Sequence, residues 1–388
     1  MNFIKTSSRL DSLDMLRGLD LFLLVFFQPV LMSFGQQTDF PWMTSILYQF
    51  EHEVWVGFRF WDLVMPLFLF MTGVSMPFSF AKYRDISDRN AVYRKITRRF
   101  LLLFLLGMVV QGNLLGLDWE HIYLYNNTLQ AIAAGYLIAA LLLLHCTVRM
   151  QVLGTAVLLL AYWLPMTFAG DFTPEGNFAS RLDATILGRF RDDPTYTWIW
   201  SSLTFGGTVM LGTFAGQIMK EGKNDRRKTV KRLFVTGLLL IAGGWLWGWQ
   251  TPIIKRIWSC SMTLLSGGYC FLLMGFFYYW VDYRGHHRGL EWLKIYGMNS
   301  ITAYLLGETV NFRCVVHSVS YGLEQYLGTY YPVWLTAANF IFLFFILRFM
   351  YLHRIFLKIL NVEKNEDRNY IFDNRSLQQI LERLLLYM

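Results

Sequence analysis

The chain has 388 residues and a formal net charge of +8, with 55% hydrophobic, 18% aromatic and only 16% charged residues. Soluble domains carry about 25% charged residues, so this composition excludes an ordinary soluble domain and reads as an integral membrane protein. A pI near 9.2 would suit a nucleic-acid binder, but the basic residues gather in short segments between apolar runs, which argues for a membrane chain instead.

Ten apolar runs are expected to form about ten transmembrane helices in an all-α integral membrane protein. They lie near residues 16–34, 60–80, 100–117, 128–144, 152–168, 200–219, 233–249, 261–281, 296–310 and 333–352. The first run follows Arg17 and continues too far for a cleavable signal peptide. The ninth is short and opens on Gly297, Met298 and Asn299. Cys146, Cys260, Cys270 and Cys314 show no CxxC or metal-ligand spacing, so neither a disulfide framework nor a metal is expected.

Positive charge orients the spans. Lys and Arg number three in residues 1–17, seven in 81–99, one in 146–150, seven in 220–232, three in 282–294 and six after Leu352, together 27 of the 35. These are alternate segments, so the N and C termini are expected in the cytoplasm and His52 on the opposite face. Trp42, Trp55, Trp119, Trp198, Trp200, Trp249 and Trp258 gather at that outer side, as an aromatic belt does. Outer segments 35–59, 169–199 and 250–260 are large enough to shape a site. The expected organisation is a single polytopic domain over 1–365 and a cytoplasmic tail over 366–388. From Asn374 the tail reads as a short amphipathic helix with Leu377, Ile380, Leu381, Leu384 and Leu385 on one face.

Residues 50–81 hold the densest chemistry. His52 precedes a run of about 20 mostly apolar residues, enough for a membrane helix. Phe50, Trp55, Phe58, Phe60 and Trp61 surround it in sequence, Asp62 falls near the helix start, and Pro66 and Gly73 interrupt the run. An interfacial histidine and a helix-end carboxylate satisfied by backbone would explain these residues without function, but such placements are site hypotheses by default. Asp14 and Arg17 share a helix face and either pair or present a guanidinium to an anion. Gln28 sits mid-span before Pro29, where buried amides often join helices. Asp20, Glu308 and Arg348 are further ionisable groups in or beside spans. The basic run 94–99 serves topology and anionic lipid, and Arg98 and Arg99 at the helix mouth suit a phosphate-bearing ligand.

Together these blocks resemble the heparan-alpha-glucosaminide N-acetyltransferase-like family of the transmembrane acyltransferase superfamily. Arg9, Ser12, Leu13, Asp14, Leu16, Arg17 and Gly18 match its opening RxxSLDxLRG. His52, Trp55, Gly57, Asp62, Leu63, Pro66, Phe68, Phe70 and Gly73 match HxxWxGxxxxDLxxPxFxFxxG. Leu129, Gln130, Ala131, Ile132 and Ala133 are similar to LQRIA, and the run from Asp171 to Asn177 to the outer-loop DxTPEGN. Pro252, Lys255, Trp258 and Ser261 match PxxKxxWxxS, and Gly297, Met298, Asn299 and Ile301 match GMNxI. The blocks occur in family order from residue 9 to about 310.

The resemblance implies acetyl transfer from cytoplasmic acetyl-CoA, with no metal, to an amino sugar or related glycan at the periplasmic face of a bacterial inner membrane. It implies catalytic roles for His52 and for Gln28, which stands where other members carry an Asn. Asp62 joins them as a catalytic candidate. Arg17, Arg98, Arg99 and Asn299 are donor-side candidates, and Trp55, Trp61, Lys255 and Glu308 acceptor-side candidates. The partners expected are the lipid bilayer, acetyl-CoA and the acceptor, with a homodimer left open and nucleic acid excluded. Three departures stand out: Gln28 is one methylene longer than Asn, Ala131 removes the charge of LQRIA, and Val56 replaces an Asn common after the Trp. A sugar transporter is the rival reading, since broken helices and intramembrane charge suit one. A transporter's essential charges would cluster near the midplane, whereas His52 lies at one face. A catalytically dead sensor is a third reading, hinted at by Ala131 alone.

Overall fold

The computed structural model describes residues 10–38, 40–83 and 89–356, so the expected tail and its amphipathic helix lie outside the described residues. Sixteen α-helices follow in order among them: α1 Asp11–Phe22, α2 Gln28–Gly35, α3 Pro41–Gln49, α4 Val64–Phe80, α5 Arg89–Val110, α6 Thr128–His145, α7 Val148–Phe168 and α8 Phe178–Leu187. The rest are α9 Ser202–Glu221, α10 Arg226–Gly248, α11 Cys260–Phe277, α12 Glu291–Met298, α13 Ser300–Thr309, α14 Arg313–Ser320, α15 Glu324–Leu327 and α16 Tyr331–Leu352. No strand occurs among the described residues.

Seven stretches of described residues are long and apolar enough to cross a membrane, by length and composition: Asp11–Gly35, Phe60–Phe80, Thr128–His145, Val148–Phe168, Arg226–Gly248, Cys260–Tyr283 and Arg313–Leu352. They fall on seven of the ten expected runs. The run near 100–117 lies on α5, whose first half is basic, and the run near 200–219 on α9, which is rich in Gly and Thr. The run near 296–310 is split at Asn299 into α12 and α13.

Helices α4, α9 and α11 are mostly buried, as central helices of a bundle are. Their core joins Leu16 of α1 to Phe70 and Met71 of α4, Leu211 of α9, and Phe271 and Met274 of α11. On α7 and α10, by contrast, Leu153, Leu160, Leu238, Leu239 and Leu246 are exposed, as lipid-facing side chains must be. Glycines let backbones touch at several crossings, two of which join α4 to α9 and α1 to α12. A Cβ on Gly73 would strike the Val209 carbonyl, and one on Gly212 the Phe70 carbonyl, so α4 and α9 meet only because both positions lack a side chain. Gly18 and Gly297 do the same for α1 and α12 against the carbonyls of Leu293 and Asp14.

The first span contains a π turn at Leu23–Phe27, closed by the Gln28 N–H on the Leu23 carbonyl. Pro29 explains it: its ring displaces the carbonyl four residues back, and widening the preceding turn relieves the clash. The turn also sets the direction of the Gln28 side chain.

Gly73→Val forces a side chain into the Val209 carbonyl and is expected to cost about 1–3 kcal/mol through overpacking. Gly243→Ala, where an added Cβ meets only Leu264 at 3.8 Å, is expected to leave stability near the parent's. Thermal unfolding of both variants in detergent checks this, and equal losses would contradict a tight α4–α9 crossing.

Candidate active site at the head of α4

Local structure sets His52 in place. A turn at Phe60–Leu63 leads into α4, and Asp62 sits where its carboxylate accepts from backbone donors that the helix start leaves orphaned. Oδ2 takes the Arg59 N–H at 3.0 Å and the Glu53 N–H at 3.3 Å. Oδ1 takes the His52 Nδ1 at 2.9 Å. The carboxylate is fully buried, while His52 keeps 38% of its side chain accessible. Beside them Arg59 clamps Glu53 with two bonds, Nε to Oε2 at 2.9 Å and NH2 to Oε1 at 3.1 Å, and lies over the Tyr48 ring.

Two further segments, 169–199 and 250–260, are stitched onto this loop and to each other. Trp55 Nε1 donates to the Phe172 carbonyl at 2.7 Å, tying it to the segment from Asp171 to Asn177. That segment ends as a helix cap, because the Asn177 side chain accepts from Ser180 N at the start of α8. The Gly57 N–H donates to the Ile253 carbonyl at 2.9 Å, with Gly57 at φ 141°, a conformation that favours glycine. The Thr197 N–H donates to the Arg256 carbonyl at 3.1 Å.

The segment bearing Lys255 is built by its own motif. Trp258 N donates to the Lys255 carbonyl, closing a turn in which Trp258 takes φ 52°. Such a residue is strained and persists only when its surroundings hold it. Here the indole donates to Thr208 at 3.0 Å and meets Phe205 edge-on. Ser259 caps α11 and also accepts the Ile254 N–H, and Ser261 donates to the Pro252 carbonyl. The outcome is a buried Lys255 whose Nζ lies 3.0 Å from both His52 ring nitrogens. Burial pushes Lys255 down to about 7, with Asp62 opposing and Arg256 adding to that shift. Burial also lowers His52, against the Asp62 hydrogen bond and with the Lys255 charge. Neutral imidazole oriented by a carboxylate is the equipment of a general base.

The expected site residues divide into groups. His52, Asp62 and Lys255 converge. Gln28 donates its amide to the Phe50 carbonyl at 3.4 Å, two residues before His52 in the chain. Trp55 is half-buried and spends its N–H on Phe172. Trp61 is only 5% exposed, its ring 5.8 Å from that of Phe50, so it backs the wall rather than offering a stacking face. Glu308 lies exposed near the end of α13, and its neighbour Gly307 faces Val25 of the π turn rather than the Lys255 segment. Arg17 pairs with Asp14 at 3.8 Å and donates to the Met71 carbonyl at 3.0 Å. Asn299 is buried where α12 meets α13 and donates to the Ile295 carbonyl. Arg98 is exposed on α5, and Arg99 lies 4.3 Å from the Tyr136 ring centre. Asp20 is buried in the first span, and neither carboxyl oxygen has a hydrogen-bond partner among the described residues.

Several contributors were not singled out from sequence. The Arg59–Glu53 clamp flanks His52, and the pairing of Arg with Glu six residues away was its only signal. Asp183 is buried and accepts the Trp198 N–H at 2.7 Å and the Ile199 N–H at 3.1 Å, holding the segment 169–199 in shape. It was one acid among several in an acidic loop. Tyr196 lies under both Lys255 and Arg256, and no local pattern marks it.

A family model described as "Heparan-alpha-glucosaminide N-acetyltransferase, catalytic" matches residues 9–245. Heparan-alpha-glucosaminide N-acetyltransferase of Homo sapiens is 25% identical over 372 residues, covering 76% of this chain and 52% of the relative. The Mus musculus protein of the same name is 24% identical over 369 residues, covering 77% and 53%. The chain thus spans about half the length of the curated relatives it matches. With most of its length under the family model, the chain belongs to the heparan-alpha-glucosaminide N-acetyltransferase catalytic family.

Proposed function

We propose that the chain is a membrane-embedded acetyltransferase that moves acetyl from cytoplasmic acetyl-CoA to an amino sugar or related glycan at the periplasmic face of a bacterial inner membrane. The observation that carries this reading is the His52 imidazole, held by Asp62 at the head of a membrane-length helix and still accessible. Family membership supplies the class of chemistry. In this reading ten spans form one polytopic domain over 1–365, with both termini and the 366–388 tail inside.

Acetyl-CoA brings an activated thioester, so the protein must position it, deprotonate the acceptor and stabilise an oxyanion. The acceptor amine attacks the thioester carbonyl carbon, and His52 Nε2 takes its proton. The carbon–sulfur bond then breaks, and the departing thiolate of coenzyme A takes up a proton. Asp62 holds the imidazole through Nδ1, and the Gln28 amide donates to the oxyanion. Trp55 and Trp61 shape the acceptor side by fixing the wall around His52. Glu308, exposed beyond the π turn, stands apart from that wall. Arg98 and Arg99 meet the phosphates of the donor, with Arg17 and Asn299 deeper along its path.

Sidedness follows from the charge pattern. With the native cysteines replaced, a cysteine at Glu120 is expected to react with an impermeant thiol reagent in intact spheroplasts, and one at Lys223 only after lysis. The reverse pattern overturns the orientation and the proposed direction of transfer.

Each charge-assisted phosphate contact contributes about 1.5–3 kcal/mol, so losing one weakens the donor roughly ten- to hundredfold. The double variant Arg98→Ala, Arg99→Ala is therefore expected to lose acetyl-CoA affinity in equilibrium binding. Unchanged affinity in the folded variant would reduce the cluster to a topology signal.

His52→Ala is expected to bind acetyl-CoA as the parent does, yet acetylate glucosamine about 10²–10⁴-fold more slowly. His52→Gln is expected to fail likewise. Radiolabelled acetyl-CoA without acceptor tests direct transfer, because label retained on the parent but not on His52→Ala would indicate an acetyl-histidine. Parental turnover by His52→Ala places the chemistry elsewhere.

A further inference from the structure

Lys255 stands against the proposed base itself. Its Nζ is 3.0 Å from both Nδ1 and Nε2 of His52. Nδ1 is already engaged by Asp62, and a carboxylate only accepts, so Nδ1 carries the ring proton and Nε2 the lone pair. Lys255 is equally near both ring nitrogens, and of the two only Nε2, the nitrogen that an acceptor must use, can accept from its ammonium. The residue is held beside the ring, being 6% exposed and part of the turn closed by Trp258.

The other charged and titratable groups around the ring are mutually engaged. Glu53 and Arg59, from the His52 loop, form their own clamp, and Glu51 lies 3.7 Å from Arg59. Arg256, beside Lys255, pairs with Asp193 at 3.5 Å and lies over Tyr196. Tyr196, from the segment 169–199, presents its ring to Lys255 at 5.7 Å. Asp62 and Lys255 are the two opposite charges that touch the imidazole directly.

Resting on the reading of His52 as base, we propose that Lys255 is a positioning residue whose cation offsets Asp62 beside the His52 ring. It keeps the imidazole neutral, with the Nε2 lone pair accepting from the ammonium until an acceptor amine displaces that contact, under conditions where Asp62 alone would draw a second proton onto it. The direction of the effect is consistent. Lys255, pushed down to about 7, is charged on the acid side of neutrality, where a histidine beside a carboxylate would otherwise protonate. Above that range the ring is neutral without help. During transfer the amine proton passes to Nε2 as the carbon–nitrogen bond forms. The cation beside the new imidazolium then favours release of that proton to the thiolate left by carbon–sulfur cleavage.

The test follows the His52 ring by nitrogen NMR in imidazole-labelled protein in nanodiscs, with His52→Gln identifying its signals among the seven histidines. Lys255→Met is expected to titrate His52 at higher pH than the parent, and Lys255→Arg to keep the parent's behaviour. The acid limb of kcat/KM is expected to move with the ring, leaving Lys255→Met roughly tenfold slower at pH 6 relative to its own plateau. Lys255→Gln gives the same comparison if the Met variant does not fold. An unshifted His52 titration overturns the proposal. So does a loss of rate equal at all pH values, the mark of a purely structural role. A raised acceptor KM with an unchanged pH profile would make Lys255 an acceptor contact instead. The titration needs no turnover, so a shifted ring in a protein that transfers no acetyl would defeat the proposed function and leave this inference standing.

Discussion

The buried carboxylate of Asp62 is the constraint on which the site depends. At the start of a membrane-length helix several backbone N–H groups have no partner within the helix, and at the edge of a bilayer water is a poor substitute. Asp62 meets part of that need by accepting from the Arg59 N–H that precedes the helix, and the same side chain holds the Glu53 N–H of the loop and His52. One residue thus finishes the helix and orients the imidazole. The loop from His52 to Arg59 cannot move without breaking the start of α4.

Around that point the fold works by convergence. Residues 52–59, 171–177, 193–199 and 252–258 lie far apart in sequence, yet backbone and indole donors join them edge to edge. Beneath them, α4, α9 and α11 form a rigid floor, because α4 and α9 meet at glycines with no side chain between the backbones. A strained Trp258 is tolerated for the same reason: its indole is fixed to Thr208 on α9, so the helix that floors the site also holds the turn bearing Lys255. The proposed acetyl transfer calls for this arrangement, since a base and a donor thioester must meet in one geometry.

Much of this was legible in the sequence. Apolar runs marked seven stretches that the structure shows as membrane-length helices, because hydrocarbon imposes length and composition on any segment that crosses it. The spacing of His52, Trp55, Gly57 and Asp62 pointed to the site, and Gly57 and Asp62 prove to be placed by backbone demands that a short motif can encode. Less legible were the runs on α5 and α9 and the one split at Asn299, where polarity or a break weakens the apolar signal. Trp61 shows a further limit, since an aromatic beside a histidine reads alike whether its face is open or buried.

The sequence by itself determined the class of protein, the identity of the helices, the family and the position of His52, because each depends on composition or on residues close together in the chain. The tertiary structure decided what His52 touches. Lys255 is 203 residues away, and nothing local shows whether its ammonium faces an acceptor, a lipid headgroup or the imidazole. Only the turn at Trp258, the contact between Gly57 and Ile253, and the burial they impose bring Lys255 to the ring. Electrostatic coupling between His52, Asp62 and Lys255 depends on distance and burial, which the order of residues along the chain does not state.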